Sequence, residues 1–265
     1  MEESMYNTLL YDVENSVTTI TINRPEASNA FSEETYGEIT DAVYKSDENE
    51  DVKAIIITGA GKTFCAGGDV KYFAKMAETG EGISEEGVIL TGEMVKSIKS
   101  ISKPVISAVN GVAAGAGAGL ALSSDFLILG ESSSLLPAFM QMALPGDTDL
   151  IYLLQQAIGS FRTTRHVMLN EPITAELAKD YGIAYDIVED DAIVASAWKL
   201  AERLVNGPSK AIAYQKELLK EFFIPQVEVF NQKEAKVMHA ASKTSDHKEA
   251  VSAFLEKRKP HFKGS

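Results

Sequence analysis

The run Ala54-Ile55-Ile56-Ile57-Thr58, closed by Gly59, constrains this chain more than any other stretch. A half-buried strand alternates apolar and polar residues. This run has no polar face, so it predicts a strand covered on both sides. The pattern returns at Pro104-Val105-Ile106-Ser107-Ala108-Val109 and at Phe126-Leu127-Ile128-Leu129. Between these runs lie helical stretches. One starts at Ser32, a plausible N-cap with Glu33 and Glu34 in the first turn, and runs to about Lys45. Others are predicted around Val70–Glu78 and Glu85–Ile101, with a small-residue helix inside Gly111–Leu122. Strands alternating with helices predict βαβ units, right-handed crossovers and a mostly parallel sheet, hence an α/β fold.

Leu9–Val13 and Val17–Ile22, separated by Glu14-Asn15-Ser16, read as a β-hairpin ahead of this pattern. Beyond Asp191 the chain reads as helices over Ile193–Leu204, Ser209–Phe223, Val227–Ser242 and His247–Lys257, punctuated by Pro208, Pro225 and Pro260. Sheet chemistry gives way to helices near residue 190, without a Gly/Ser linker to mark a separable unit. Val105–Gly130 is apolar enough to suggest a membrane span, but Asn110, Ser123, Ser124, Asp125 and its glycines make it a poor single helix. A buried strand, turn, helix and strand explain it better. The N-terminus has no positive, apolar leader pattern, so no membrane span and a cytoplasmic setting are expected.

Charge narrows the function classes. With 25 Lys+Arg against 38 Asp+Glu, the net charge is −13. A nucleic-acid binder needs a basic face, so no nucleic-acid partner is expected. The one cysteine, Cys65, can neither close an intrachain disulfide nor complete a cysteine metal site. His166, His239, His247 and His261 lack ligand spacing and read as surface or helix-packing residues; no metal is expected.

Two glycine patterns suggest nucleotides and fail. Gly61-Lys62-Thr63 would need glycine at Ile56 to make a phosphate loop. Gly115, Gly117 and Gly119 are spaced GxGxG rather than GxGxxG, without a clear ribose-binding acid downstream. No Gly-x-Ser-x-Gly elbow is present for a serine nucleophile. What remains is a pair of side-chain-poor turns after buried strands, Thr63–Asp69 and Asn110–Gly117. Such turns let a ligand reach backbone N–H groups, and helix N-termini behind them add positive potential. They equally serve tight turns and close helix packing.

Taken together, Asn23-Arg24-Pro25 with Asn29-Ala30-Phe31-Ser32, Gly61–Asp69, Lys103-Pro104-Val105 with Asn110-Gly111 and Ala114-Gly115, and Ser124-Asp125 resemble the enoyl-CoA hydratase/isomerase (crotonase) superfamily. The resemblance runs from about residue 8 to residue 259. It implies a crotonase-like ββα spiral with mostly parallel sheets and a C-terminal helical region. Residues 1–190 would form the spiral core with the CoA-thioester site, and 191–265 a helical trimerisation region, in homotrimers or hexamers. It also implies an acyl-CoA substrate, with coenzyme A part of that substrate rather than a separate cofactor. The thioester oxygen would be held by the N–H groups of Gly68 and Ala116, stabilising an enolate. CoA contacts carry over to Ala66, Gly68, Asp69, Val70 and Lys71.

The departures sharpen the expectation. The two glutamates of the family's hydratases fall at Gly119 and near Ala138–Phe139, where there is no carboxylate. Leu136-Pro137-Ala138-Phe139-Met140 followed by Gly146-Asp147-Thr148 instead resembles enoyl-CoA isomerases of the phenylacetate type and 4-chlorobenzoyl-CoA dehalogenase. Both alignments put the catalytic acid on Asp147. Asp149 is the neighbouring rival, and the plain reading is that Asp147 caps a helix over Thr148–Ile158. The dehalogenase's histidine falls at Gly92 and its tryptophan at Phe139, which counts against that reaction. The expected pocket is walled by Leu136, Phe139, Met140 and Met142, with Gly119 beside it, and desolvation there would strengthen Asp147 as a base. Lys62, Lys71, Lys75 and Lys257-Arg258-Lys259 are candidates for drawing in anionic CoA. Met76–Gly87 reads as a flexible lid or partly disordered loop. The expected reaction is double-bond isomerisation of an enoyl-CoA. The alternatives are hydration, dehalogenase-like hydrolysis through Asp147, or a catalytically silent CoA-binding scaffold.

Overall fold

The computed structural model describes residues 5–265. Strands β1 (Leu9–Glu14) and β2 (Val17–Ile22) form the expected hairpin, its turn made by Asn15 and Ser16 at positive φ. Helix α1 (Glu33–Glu48) follows, and the Ser32 side chain accepts the Thr35 N–H as its N-cap. Strand β3 (Ala54–Gly59), helices α2 (Val70–Thr79) and α3 (Glu85–Ser100), and strand β4 (Val105–Val109) continue the chain. Next come β5 (Val112–Ala114), α4 (Ala116–Ser123), β6 (Phe126–Gly130) and β7 (Ser134–Leu136). A 3-10 turn over Phe139–Met142 leads to α5 (Leu150–Ile158), α6 (Ser160–Leu169), β8 (Ile173–Thr174), α7 (Ala175–Asp180) and β9 (Asp186–Val188). Helices α8 (Ile193–Val205), α9 (Ser209–Ser242) and α10 (Ser245–Leu255) finish it.

The main sheet has the order β1-β2-β3-β4-β6-β9, parallel throughout except for the hairpin pair. The apolar run of β3 is covered on both faces, as its sequence requires. Ile55 and Ile57 enter the larger core, with Ile39 and Val43 of α1 and Val95 and Ile98 of α3. Ala54 and Ile56 enter a second core, closed by Ile193, Ala197 and Leu200 of α8. A small second sheet, β5-β7-β8, stands beside the first. Its strands of two and three residues carry no readable sequence pattern.

Three expectations need correcting. Ser209–Phe223 and Val227–Ser242 are one helix, α9, running through Pro225. A proline inside a helix forfeits a hydrogen bond at a cost of about 3 kcal/mol. Pro225 is exposed, however, and Val227, Asn231, Glu234, Ala235 and Met238 bury the helix beyond it, with α9 packed along α3. Met76–Gly87 is not a free lid. Ile83 is buried, its N–H donates to Ser242 Oγ (2.8 Å), and its carbonyl meets His239 Nδ1 (2.8 Å). Finally, α5 begins at Leu150, so Asp147 does not cap it. Among the described residues no helix is long and apolar enough to cross a membrane.

Candidate active site

Two asparagines shape the glycine-rich turns that follow the C-terminal ends of the central strands β3 and β4. Asn29 donates to the carbonyls of Ala60 (2.9 Å) and Thr63 (2.6 Å) and accepts the Arg24 N–H (2.9 Å). Asn110, just past β4, donates to the carbonyls of Gly59 (2.7 Å) and Gly61 (2.9 Å) and accepts the Gly59 N–H (3.1 Å). The turns are joined to each other: Cys65 N–H donates to Val112 O (3.1 Å) and Ala114 N–H to Cys65 O (2.8 Å). Gly115, at φ 49° and ψ −117°, then swings the chain into α4. Only glycine adopts that conformation freely. The result is two neighbouring turns in which the N–H groups of Gly68 and Ala116 donate to no acceptor among the described residues. Ala116 opens α4, so the helix dipole adds positive potential at its amide.

Two cavities, of about 340 and 480 Å³, lie against these turns and share Gly68, Asp69, Lys71, Phe73 and Asp147 in their walls. The smaller is lined by Phe31, Tyr36, Tyr72, Ile83 and Val88, an apolar and aromatic wall. The larger is bordered by Ala66, Val70, Gly115, Phe139 and Met142, with Phe254 and Leu255 from the C-terminal end of α10.

Asp147 lines both cavities, on a segment with unusual backbone. Thr148 (φ 56°) and Asp149 (φ 52°) are both in the left-handed region, which side-chain-bearing residues adopt at a cost. Three hydrogen bonds hold them there. Thr148 N–H donates to Thr91 Oγ1 (3.2 Å), Asp149 N–H to Glu234 Oε2 (2.9 Å), and Leu150 N–H to Asp147 O (3.2 Å). Asp147 is 7% exposed and its Oδ1 has no partner. Burial pushes its carboxyl up to about 7, against a smaller opposing effect of the Thr148 hydrogen bond. Asp149, fully buried with both oxygens unpartnered, is also raised to about 7, by burial first and then by the charges of Asp147 and Glu93. Asp149 borders neither cavity.

The other expected residues divide. Ala66, Gly68, Asp69, Val70 and Lys71 all line the larger cavity. The Asp69 carboxylate is engaged in pairing Arg24 (3.1 Å) and capping α2 at the Lys71 N–H (3.0 Å). Ala116 is buried just behind Gly115, which borders the larger cavity. Phe139 is a wall residue, but Leu136, Met140 and Gly119 border neither cavity. Met140 is 43% exposed, because the 3-10 turn that brings Phe139 inward turns its neighbour outward. Gly119 is sealed: a Cβ there would lie 2.2 Å from Thr148 Oγ1. Gly92 is closed in the same way by Asn231, whose Nδ2 would be 2.1 Å from a Cβ. Of the candidate cations Lys71 lines both cavities, whereas Arg258 is taken up by Glu249 and Glu256. Tyr36, Thr91 and Glu234 were not anticipated. For Glu234 a signal existed: with Asn231 it interrupts the stripe 227, 231, 234, 238 on the buried side of α9.

Comparison with known proteins agrees with this architecture. A family model described as enoyl-CoA hydratase/isomerase matches residues 12–265. The chain is 32% identical over 264 residues to a 1,2-epoxyphenylacetyl-CoA isomerase of Escherichia coli, covering 98% of this chain and 100% of that one. It is 33% identical over 261 residues to a probable enoyl-CoA hydratase of Rhodobacter capsulatus, covering 98% and 99%. The crystal structure of an enoyl-CoA hydratase from Mycobacterium avium subsp. paratuberculosis superposes with a TM-score of 0.88 at 26% identity, covering 97% and 99%. The names of these relatives include both isomerase and hydratase, and the chain belongs to the enoyl-CoA hydratase/isomerase family.

Proposed function

We propose that this protein isomerises the double bond of an enoyl-CoA thioester, with Asp147 as a single acid/base and the Gly68 and Ala116 amides as oxyanion donors. The observation that carries this reading is the position of Asp147. It is a buried carboxyl with an unpartnered oxygen, in the wall of the same cavities as Gly68. Asp147 takes a proton from C2 of a 3-enoyl thioester. The charge that develops on the thioester oxygen is met by the two amides, giving a dienolate. The protonated Asp147 then returns the proton at C4, leaving the 2-enoyl product. A carboxyl titrating near 7 suits both halves: ionised often enough to accept the proton, basic enough to pull it. Fixed amides aimed at a developing oxyanion are worth about 10²–10³ in rate.

Hydration needs acid and base work at both carbons of the double bond. The position where the resemblance puts the first hydratase glutamate, Gly119, is filled by Thr148. Coenzyme A enters as the handle of the substrate, along Ala66–Lys71, and the single-base route calls for no separate cofactor. Exposed Phe161, Met168 and Leu169 on α6, with Tyr214, Leu218 and Phe222 on α9, support assembly of further copies into a trimer or hexamer.

The deciding experiment incubates the enzyme separately with 3-enoyl-CoA, 2-enoyl-CoA and 4-chlorobenzoyl-CoA and follows product mass. Isomerisation converts the first to the second at unchanged mass. A gain of one water on 2-enoyl-CoA would replace this reading with hydration. Loss of chloride would replace it with dehalogenation, and no change in any of the three with a scaffold.

A further inference from the structure

The turn that carries Asp147 is held from behind by a helix that the proposed reaction leaves unused. Glu234, on α9, is 4% exposed. Its Oε2 accepts the Asp149 N–H at 2.9 Å, and its Oε1 has no partner. Both carboxyl oxygens of Asp149 are equally without partners in the same buried region. The titratable and charged groups acting on this pair are Asp147, Tyr152 of α5, and Glu93 of α3, the last engaged by Lys96 at 3.7 Å; Tyr36 of α1 faces Asp147. Among the described residues neither Asp149 nor Glu234 has a cationic partner, and the carboxyl groups do not converge as ligands of one metal ion would. Three carboxylates so placed cannot all be ionised, because each buried charge lacks water and repels the others.

We propose that Glu234 and Asp149 form a proton-holding pair that positions Asp147, with a neutral Glu234 clamping the Asp149 N–H and leaving the working negative charge to Asp147. The assignment rests on Asp147 being the base. Oε2 is occupied by the amide, so the proton belongs on Oε1. A neutral clamp holds the left-handed turn without adding a charge of its own to those of Asp147 and Asp149. Burial, then the charges of Asp149 and Asp147, keep the Glu234 proton in place well above the ordinary carboxyl range. Where Glu234 does ionise, above the ordinary carboxyl range, its new charge loosens the turn and activity falls.

Glu234→Gln and Glu234→Leu in the full chain test this with two readouts. Infrared difference spectra near pH 8.5, where groups titrating at about 7 are largely ionised, should show a protonated carboxyl in the wild type and none in Glu234→Gln. The kcat of Glu234→Gln should stay within about threefold of wild type, with the alkaline fall gone, because the amide keeps the acceptor and mimics the neutral acid. Glu234→Leu should lower kcat by tenfold or more, up to about 10²-fold, with KM little changed, since it releases the turn. The proposal is overturned if the wild type shows no protonated carboxyl, or if Glu234→Gln keeps that band. It is equally overturned if Glu234→Gln is as impaired as Glu234→Leu. The spectra need no turnover, so an enzyme with some other reaction would sink the isomerase reading, while the infrared band alone would still decide the carboxyl pair.

Discussion

The glycine-rich turns and the Asp147 turn border the same cavities but are built in opposite ways. On one side, Asn29 and Asn110 each use donors and acceptor on the turn backbone. On the other, Asp147, Asp149 and Glu234 all keep unpartnered oxygens, and Thr148 and Asp149 hold a costly backbone conformation. Satisfied polar networks rigidify. Unsatisfied buried carboxyls cost stability and are found where a protein needs a proton acceptor of unusual strength. Under the proposed reaction this contrast is a division of labour: the satisfied side fixes an oxygen, and the frustrated side moves a proton.

The largest expected effect comes from forcing a hydratase-like glutamate into this frame. Gly119→Glu must displace Thr148, whose Oγ1 would be 2.2 Å from the new Cβ. Overpacking of that kind should cost about 3 kcal/mol or more and lower the thermal midpoint by several degrees without producing hydration. A stable Gly119→Glu protein that hydrates 2-enoyl-CoA would mean that the cavity is more adaptable than its packing indicates.

Next is Asn29→Ala, which breaks the satisfied side. It strands the carbonyls of Ala60 and Thr63 and the Arg24 N–H, and denaturant unfolding should show a loss of about 3 kcal/mol. An unchanged midpoint would remove the distinction between the two sides.

Asp149→Asn should act in the other direction, and only as the pH rises. The folded-state carboxyl titrates at about 7, above its unfolded value near 3.9. Burial favours its neutral form, so its contribution is intact below about pH 4 and is lost as pH rises through 7. The asparagine variant avoids that loss. Melting curves should therefore show it gaining on the wild type between about pH 4 and pH 7, by about 4 kcal/mol in all, with the difference level above that. A gap that does not change with pH would show that Asp149 is not a strained carboxyl.

How much of the molecule is legible in its sequence follows from how local each signal is. The strands β3, β4 and β6 could be read because the absence of a polar face is a property of five or six adjacent residues. The hairpin β1–β2 was equally local. Helix α9 was not, because Pro225 is a strong local stop signal and packing along α3 outweighs it. The second sheet was invisible, since strands of two and three residues have no period. In the site, Gly68, Ala116 and Asp147 came into view through a family pattern spread over the whole chain. Glu234 lies 85 residues from the amide it holds, and Asn231 fills the space at Gly92. Only the polar interruption of a buried helical stripe hinted at either. Met140 faces out for a simpler reason: a 3-10 turn has about three residues per turn, so Phe139 and Met142 share the cavity side and Met140 between them turns to solvent.

The most direct measurement is the turnover of 3-enoyl-CoA by Asp147→Asn, with the thioester's dissociation constant determined alongside. Asparagine keeps the shape of the side chain and removes the base. Two amides gripping the oxygen and one carboxylate carrying the proton predict a fall in kcat of about 10³-fold with binding within about threefold of wild type. Turnover that survives the substitution would contradict the account, as would a loss that appears only as weaker binding.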